Sequence, residues 1–102
     1  MLWTGYHNII NISNTKGSKR IYSVVGYICE TDTLGYDRKL NEVKEGDILA
    51  ILNAGAYGFT MSSNYNSRTR PAEVLIINGE AKLIRERETL EDQLKHQVDI
   101  GL

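Results

Sequence analysis

Apolar positions along the chain predict mostly β-strands. Residues 6–13 contain three isoleucines and end in a polar loop with a glycine, which is typical of a strand followed by a turn. Residues 21–29 carry apolar side chains on both faces, the pattern of a strand covered on both sides. A loop is predicted at residues 34–38. The continuous apolar run at 48–52 is too short for a typical helix and predicts a central strand.

The second half of the chain contains a clear hairpin signal. Asn78-Gly79 lies between the strand-like runs 73–77 and 80–85, and a two-residue turn of this kind needs positive φ at both central positions. Residues 59–61 predict one more short strand before this hairpin.

One helix is expected, near the carboxy terminus. Thr89 can cap it, Glu91 and Asp92 suit its first turn, and Leu90 and Leu94 repeat at a spacing of four. The prediction is a single domain over residues 1–102, mainly β, built as a twisted sheet or small barrel-like sandwich with this one short helix.

Composition limits the classes of function. A net charge of -1 and a pI near 6.1 provide no basic surface for nucleic acid. No apolar stretch is long enough to span a bilayer, and the amino terminus lacks the features of a signal peptide. The single cysteine cannot form an internal disulfide, which is typical of a reducing compartment. A soluble, cytoplasmic protein is expected, with no membrane or nucleic-acid partner.

Cys29 is the first candidate for chemistry, because Glu30 and Asp32 follow it at the end of a predicted strand. Two nearby carboxylates favour the protonated thiol, and a protonated thiol suits a proton donor better than a nucleophile. Taken alone, a lone cysteine is more often a small buried hydrophobic residue.

Tyr57 is the second candidate, because glycine and alanine surround it at residues 53–58. Small neighbours allow a ligand to come close, and a phenol can reach a phosphate or a carboxylate. An ordinary core tyrosine has the same sequence pattern. Arg68 and Arg70 could clamp an anion, although arginines in polar loops are more often solvated or ion-paired. His7 lacks the paired-ligand spacing of a zinc site, so no metal is expected.

Three segments in order, residues 29–32, 53–58 and 63–74, strongly resemble the carboxy-terminal domain of the diaminopimelate decarboxylase family. The resemblance runs from about Tyr6 to the terminal helix. It implies a sheet domain similar to that of alanine racemase and the group IV decarboxylases. It also implies that Cys29 is catalytic and protonates the decarboxylated intermediate, and that Glu30 binds the distal amino group of the substrate. Tyr57 would contact both substrate and cofactor phosphate.

Members of this family depend on pyridoxal phosphate and release CO2 from meso-diaminopimelate, a small-molecule substrate, to give L-lysine. The resemblance implies a homodimer in which Cys29 and Glu30 enter the active site of the opposite subunit. An amino-terminal barrel supplies the lysine that holds the cofactor, and these 102 residues contain no such barrel. We therefore expect this chain alone to be inactive, not to bind the cofactor, and to expose an apolar face where the barrel and second subunit dock.

Two alternative functions are consistent with the same residues. A related ornithine, arginine or carboxynorspermidine decarboxylase would share the architecture, and a binding or assembly module without enzymatic activity could keep the sheet alone. Thr31 departs conservatively from the family triplet. Trp3 stands where the family has a substrate-contacting tyrosine, and no arginine precedes it.

Overall fold

The computed structural model describes residues 6–28 and 33–102, and its six strands form three antiparallel two-stranded sheets. The elements are β1 (Ile9–Asn11), β2 (Lys19–Val25), β3 (Thr33–Asn41), β4 (Leu49–Ile51), α1 (Gly55–Gly58), a 3-10 turn (Tyr65–Ser67), β5 (Glu73–Ile77), β6 (Glu80–Arg85) and α2 (Leu90–Leu94). The prediction of a mainly β fold is confirmed, and the described strands close no barrel. Two compact units, Met1–Gly58 and Phe59–Leu102, are described separately below.

In the first unit, β1 pairs with β4. The Ile12 N–H donates to the Ile48 carbonyl at 3.1 Å and the Leu52 N–H to the Asn8 carbonyl at 2.8 Å, which extends the ladder at both ends. The strands predicted in residues 6–13 and 48–52 are confirmed. The predicted central position of β4 is wrong, since β1 is its only partner among the described strands. A continuous apolar run does not specify how many neighbours a strand has.

β3 is the longest strand, and it contains the segment 34–38 that was predicted as a loop. Its register with β2 shifts twice, because Tyr22 pairs with Arg38, Val24 with Gly35 and Val25 with Thr33. β3 therefore carries one extra residue at each of two bulges. Asp37 lies at the first bulge with φ of 48°, and its N–H donates to the Ser23 hydroxyl at 3.2 Å. Glycine and aspartate disfavour a regular strand, but a β-bulge accommodates both residue types.

The core of this unit lies where β1 faces β3. Ile9 and Leu40 are the buried apolar side chains of the described chain, at 6% and 3% exposure. β2 is different, because Ile21 and Val25 are more than half exposed. The prediction that β2 is covered on both faces is therefore wrong within the described chain, where no element covers those side chains.

Asn11 organises the polar side of the same core. Its side-chain oxygen accepts the N–H groups of Ser13 and Asn14, and its amide donates to the Glu42 carbonyl and to the Asp47 carboxylate. All of its hydrogen-bonding groups are thus satisfied, as burial of a polar side chain requires. This network joins the loop after β1, the end of β3 and the turn before β4.

The β5–β6 hairpin dominates the second unit and confirms its prediction. Ile77 pairs with Glu80 across a two-residue turn, and Asn78 and Gly79 have φ of 51° and 75°. Both central residues are in the left-handed region, as this type of turn demands.

The predicted terminal helix is confirmed as α2. Thr89 accepts the Asp92 N–H through its hydroxyl and donates its own N–H to the Asp92 carboxylate, which forms a capping box. These two bonds hold the pKa of Asp92 below its ordinary value. α1 and the 3-10 turn were not predicted.

The strand predicted at residues 59–61 is wrong, because these residues form a turn closed by the Ser62 N–H and the Phe59 carbonyl. The guanidinium groups of Arg70 and Arg85 lie 3.9 and 4.0 Å from the centre of the Phe59 ring. The Phe59 ring packs against these two guanidinium groups within a turn, so an apolar residue at this position does not indicate a strand.

Candidate functional site

Cys29 and Glu30 lie outside the described residues, so their predicted roles remain predictions. They belong to the connection between β2 and β3. The described residues on its two sides, Val25 and Thr33, are partners in the ladder. Val25 and Thr33 therefore lie next to each other in the β2–β3 sheet.

Tyr57 lies on α1, which the chain enters from β4 through Leu52 and Asn53. Asn53 has φ of 56°, and this left-handed residue turns the chain out of the strand. The N–H groups of Tyr57 and Gly58 both donate to the Ala54 carbonyl, at 3.3 and 3.0 Å. The tyrosine is 64% exposed, so the interpretation of Tyr57 as a core residue does not hold in this chain.

The surface around Tyr57 is open. A Cβ atom added to Gly55 or Gly58 would meet no described atom within 4 Å. In the described part of the chain, no hydrogen bond engages the Tyr57 hydroxyl. A phenol in this setting can donate to a phosphate oxygen or a carboxylate. The arrangement fits the phosphate contact expected for a pyridoxal cofactor, but the described residues do not identify an amine that would hold the cofactor covalently.

His7 fixes the chain just before α1. Its Nδ1 lies 3.1 Å from the Leu52 carbonyl oxygen and donates to it, while the Leu52 N–H donates to the Asn8 carbonyl at 2.8 Å. Arg38 donates through Nη1 to the His7 carbonyl at 2.6 Å, and its guanidinium stacks on the Tyr6 ring at 3.9 Å. Sequence reasoning weighed His7 only as a metal ligand, because a bond to a residue 45 positions away leaves no local pattern.

The hydrogen bonds described for Arg70 lie within the second unit. Its guanidinium donates to the Phe59 carbonyl at 2.8 Å and to the Ser62 hydroxyl at 3.0 Å. Its N–H donates to the Glu88 carboxylate and its carbonyl accepts the Glu88 N–H. These bonds engage the Arg70 guanidinium with the protein and favour a structural role over the anion clamp considered from the sequence.

Two other features bear on the class of site. Across residues 6–28 and 33–102, no three histidine, cysteine or acidic side chains gather in a way that could hold a metal ion. None of the helices in that part of the chain is long and apolar enough to cross a membrane.

The fold and site together define a mainly antiparallel sheet domain with an exposed tyrosine beside open glycines. Residues 1–55 match the family model of the pyridoxal-dependent decarboxylase C-terminal sheet domain. The chain belongs to this family, and the resemblance seen in the sequence is confirmed.

Several similar proteins are named diaminopimelate decarboxylase. The diaminopimelate decarboxylase of Aquifex aeolicus is 48% identical over 97% of this chain and 24% of its own length. The crystal structure of the enzyme of that name from Methanocaldococcus jannaschii superposes with a TM-score of 0.86 at 44% identity, covering 95% of this chain and 22% of the other. A structure of the same archaeal enzyme in complex with L-lysine superposes with a TM-score of 0.83 at 46% identity and covers 93% and 22%. The chain thus spans about a quarter of the relatives that it matches.

Proposed function

We propose that this chain is the carboxy-terminal sheet domain of a diaminopimelate decarboxylase, which converts meso-diaminopimelate to L-lysine and CO2. The observation that carries the proposal is the similarity over nearly the whole chain to enzymes of that name, at 48% identity to the Aquifex relative. An L-lysine complex of a relative is consistent with the product.

The reaction requires a complete enzyme in which this domain meets an amino-terminal barrel and a second copy of the same chain. The exposed apolar side chains of β2 and of the β5–β6 hairpin support such docking, because large uncovered apolar surfaces are typical of interfaces. In this arrangement Cys29 and Glu30 serve the active site of the partner subunit. Alone, the chain is inactive.

Each site residue has a separate task. Glu30 accepts a hydrogen bond from the distal ammonium of the substrate and so orients it. Tyr57 donates its phenol proton to a phosphate oxygen of the cofactor. Pyridoxal phosphate, when bound, supplies the electron withdrawal that permits loss of CO2. The Cys29 thiol then delivers a proton from Sγ to the carbon that carried the lost carboxylate.

The test joins this chain to the barrel of the Aquifex relative and measures formation of L-lysine and CO2 from meso-diaminopimelate. The barrel alone and the isolated 102-residue chain are the blanks, and the complete Aquifex enzyme is the positive control. We expect activity in the joined enzyme and in the positive control, and none in either blank. Faster turnover of ornithine or arginine would reassign the substrate, and an inactive joined enzyme that still forms a folded dimer would contradict the proposal.

A further inference from the structure

We infer that His7 is a positioning residue that acts through the main chain of Leu52 to hold Tyr57 in place. The inference rests on the proposed function in one respect, that Tyr57 contacts the cofactor. Its structural basis is independent of that role.

The hydrogen bonds around β4 show where long-range support ends. Both backbone polar groups of Leu52 are hydrogen-bonded, since its N–H donates to the Asn8 carbonyl and its carbonyl oxygen accepts from His7. Beyond Leu52, the described hydrogen bonds of α1 are local and run to the Ala54 carbonyl. The His7 bond is therefore the last described long-range hydrogen bond before Tyr57.

His7 is itself held by Arg38 on β3. The Arg38 guanidinium donates to the His7 carbonyl at 2.6 Å and stacks on the ring of Tyr6. Gly35 makes room for this side chain, since a Cβ there would lie only 3.0 Å from Arg38 Nε. Through these contacts β3, which begins just after residues 29–32, also supports the segment that carries Tyr57.

Chemistry explains why a histidine suits this position. A carbonyl oxygen only accepts, so Nδ1 must carry the proton in this bond. A residue without a donor at that point would leave the Leu52 carbonyl without its side-chain partner and free the turn at Asn53. The asparagine amide nitrogen is attached to Cγ as Nδ1 is, and therefore His7→Asn can restore the bond.

The first experiment uses the 102-residue chain and does not depend on activity. Amide hydrogen exchange at Leu52, Tyr57 and Gly58 should be about tenfold faster in His7→Ala than in the natural chain. It should return close to the original rate in His7→Asn. His96→Ala, which removes the other histidine at an exposed position, is the matched control. Equal exchange in His7→Ala and the natural chain would overturn the inference, as would a failure of His7→Asn to restore protection if the variant is folded.

The second experiment is a double-mutant cycle for pyridoxal phosphate affinity in the joined enzyme. His7→Ala should weaken binding about tenfold alone, but less than about twofold in a Tyr57→Phe background, because both changes remove the same contact. Additive losses would show that His7 does not act through Tyr57. If the natural joined enzyme failed to decarboxylate diaminopimelate, the proposed function would fail, whereas the exchange experiment would still decide the role of His7.

Discussion

The side-chain amide of Asn11 donates a hydrogen bond to the carboxylate of Asp47 across 3.1 Å and ties the end of β1 to the turn before β4. Asn11 is 4% exposed, while its partners lie on three separate segments. A buried polar side chain with all its bonds made can fix loops that apolar packing does not reach.

Asn11→Ala should lower the free energy of unfolding by about 1–3 kcal/mol, because it leaves the N–H groups of Ser13 and Asn14 without their acceptor. Urea denaturation of the 102-residue chain measures the loss. Asn8→Ala, at an exposed position three residues earlier, is the control and should change stability by less than about 0.5 kcal/mol. Equal effects at the two positions would contradict the role given to Asn11.

Asp47 should make stability depend on pH at acidic values. The N–H of Lys44, the amide of Asn11 and the charge of Lys44 hold the pKa of Asp47 below its ordinary value. The unfolded chain then binds the proton more tightly than the folded one. The stabilising contribution is therefore complete above about pH 4 and is lost as the pH falls through the lower folded pKa.

The measurement for Asp47 is the urea midpoint between pH 6 and pH 2. Asp47→Asn keeps an acceptor oxygen but cannot ionise, so its midpoint should fall less on acidification than that of the natural chain. Asp92→Asn should reduce the same dependence separately, because the capping box also lowers the pKa of Asp92. An unchanged pH dependence in Asp47→Asn would show that its carboxylate is not linked to folding.

Gly35→Ala should destabilise the first unit. The added methyl group would lie 2.9 Å from Ile9 Cδ1 in the core and 3.0 Å from Arg38 Nε. Overpacking of this kind costs about 1–3 kcal/mol, which exceeds the gain of about 0.5–1 kcal/mol from replacing a glycine within a strand. Thermal unfolding should show a lower midpoint. Gly55→Ala, which meets no described atom, should leave the midpoint equal or higher, and the reverse order would contradict this account of the packing.

The three site residues should give three different phenotypes in the joined enzyme. Cys29→Ala should lower turnover by about 10²–10⁴-fold and spare cofactor binding, because the thiol acts after CO2 leaves. Glu30→Gln should mainly raise KM. Tyr57→Phe should weaken cofactor binding by about 1.5–3 kcal/mol, the cost of one hydrogen bond to a charged group. Steady-state kinetics and cofactor titration separate these outcomes, and one shared phenotype would contradict the assignment of roles.

Local signals predicted the elements that local chemistry determines. The Asn78-Gly79 turn and the Thr89 cap could be predicted because their geometry depends on adjacent residues. The strand at 34–38 could not be predicted, because the N–H of Asp37 at its bulge donates to the hydroxyl of Ser23 on another strand. The prediction that β2 is buried failed for a related reason. β2 carries the sequence pattern of a strand covered on both faces, but the described chain does not cover it.

The candidate site likewise has one part that the sequence predicts and one that it does not. Segment resemblance identified Tyr57, and the structure places it on an open surface, as a ligand contact needs. The bond between His7 and Leu52 spans 45 positions, so only the folded chain reveals it.

The two bulges of β3 also constrain how this segment can change length. Side chains alternate between faces along a strand, so one extra residue reverses that alternation relative to β2 and a second extra residue restores it. Paired side chains therefore have the same relative orientation at Tyr22–Arg38 and at Val25–Thr33 only because both bulges are present. Deletion of a single residue between Thr33 and Arg38 would invert one end of the strand, whereas deletion of two could be tolerated. Length variation in this segment should therefore come in even numbers.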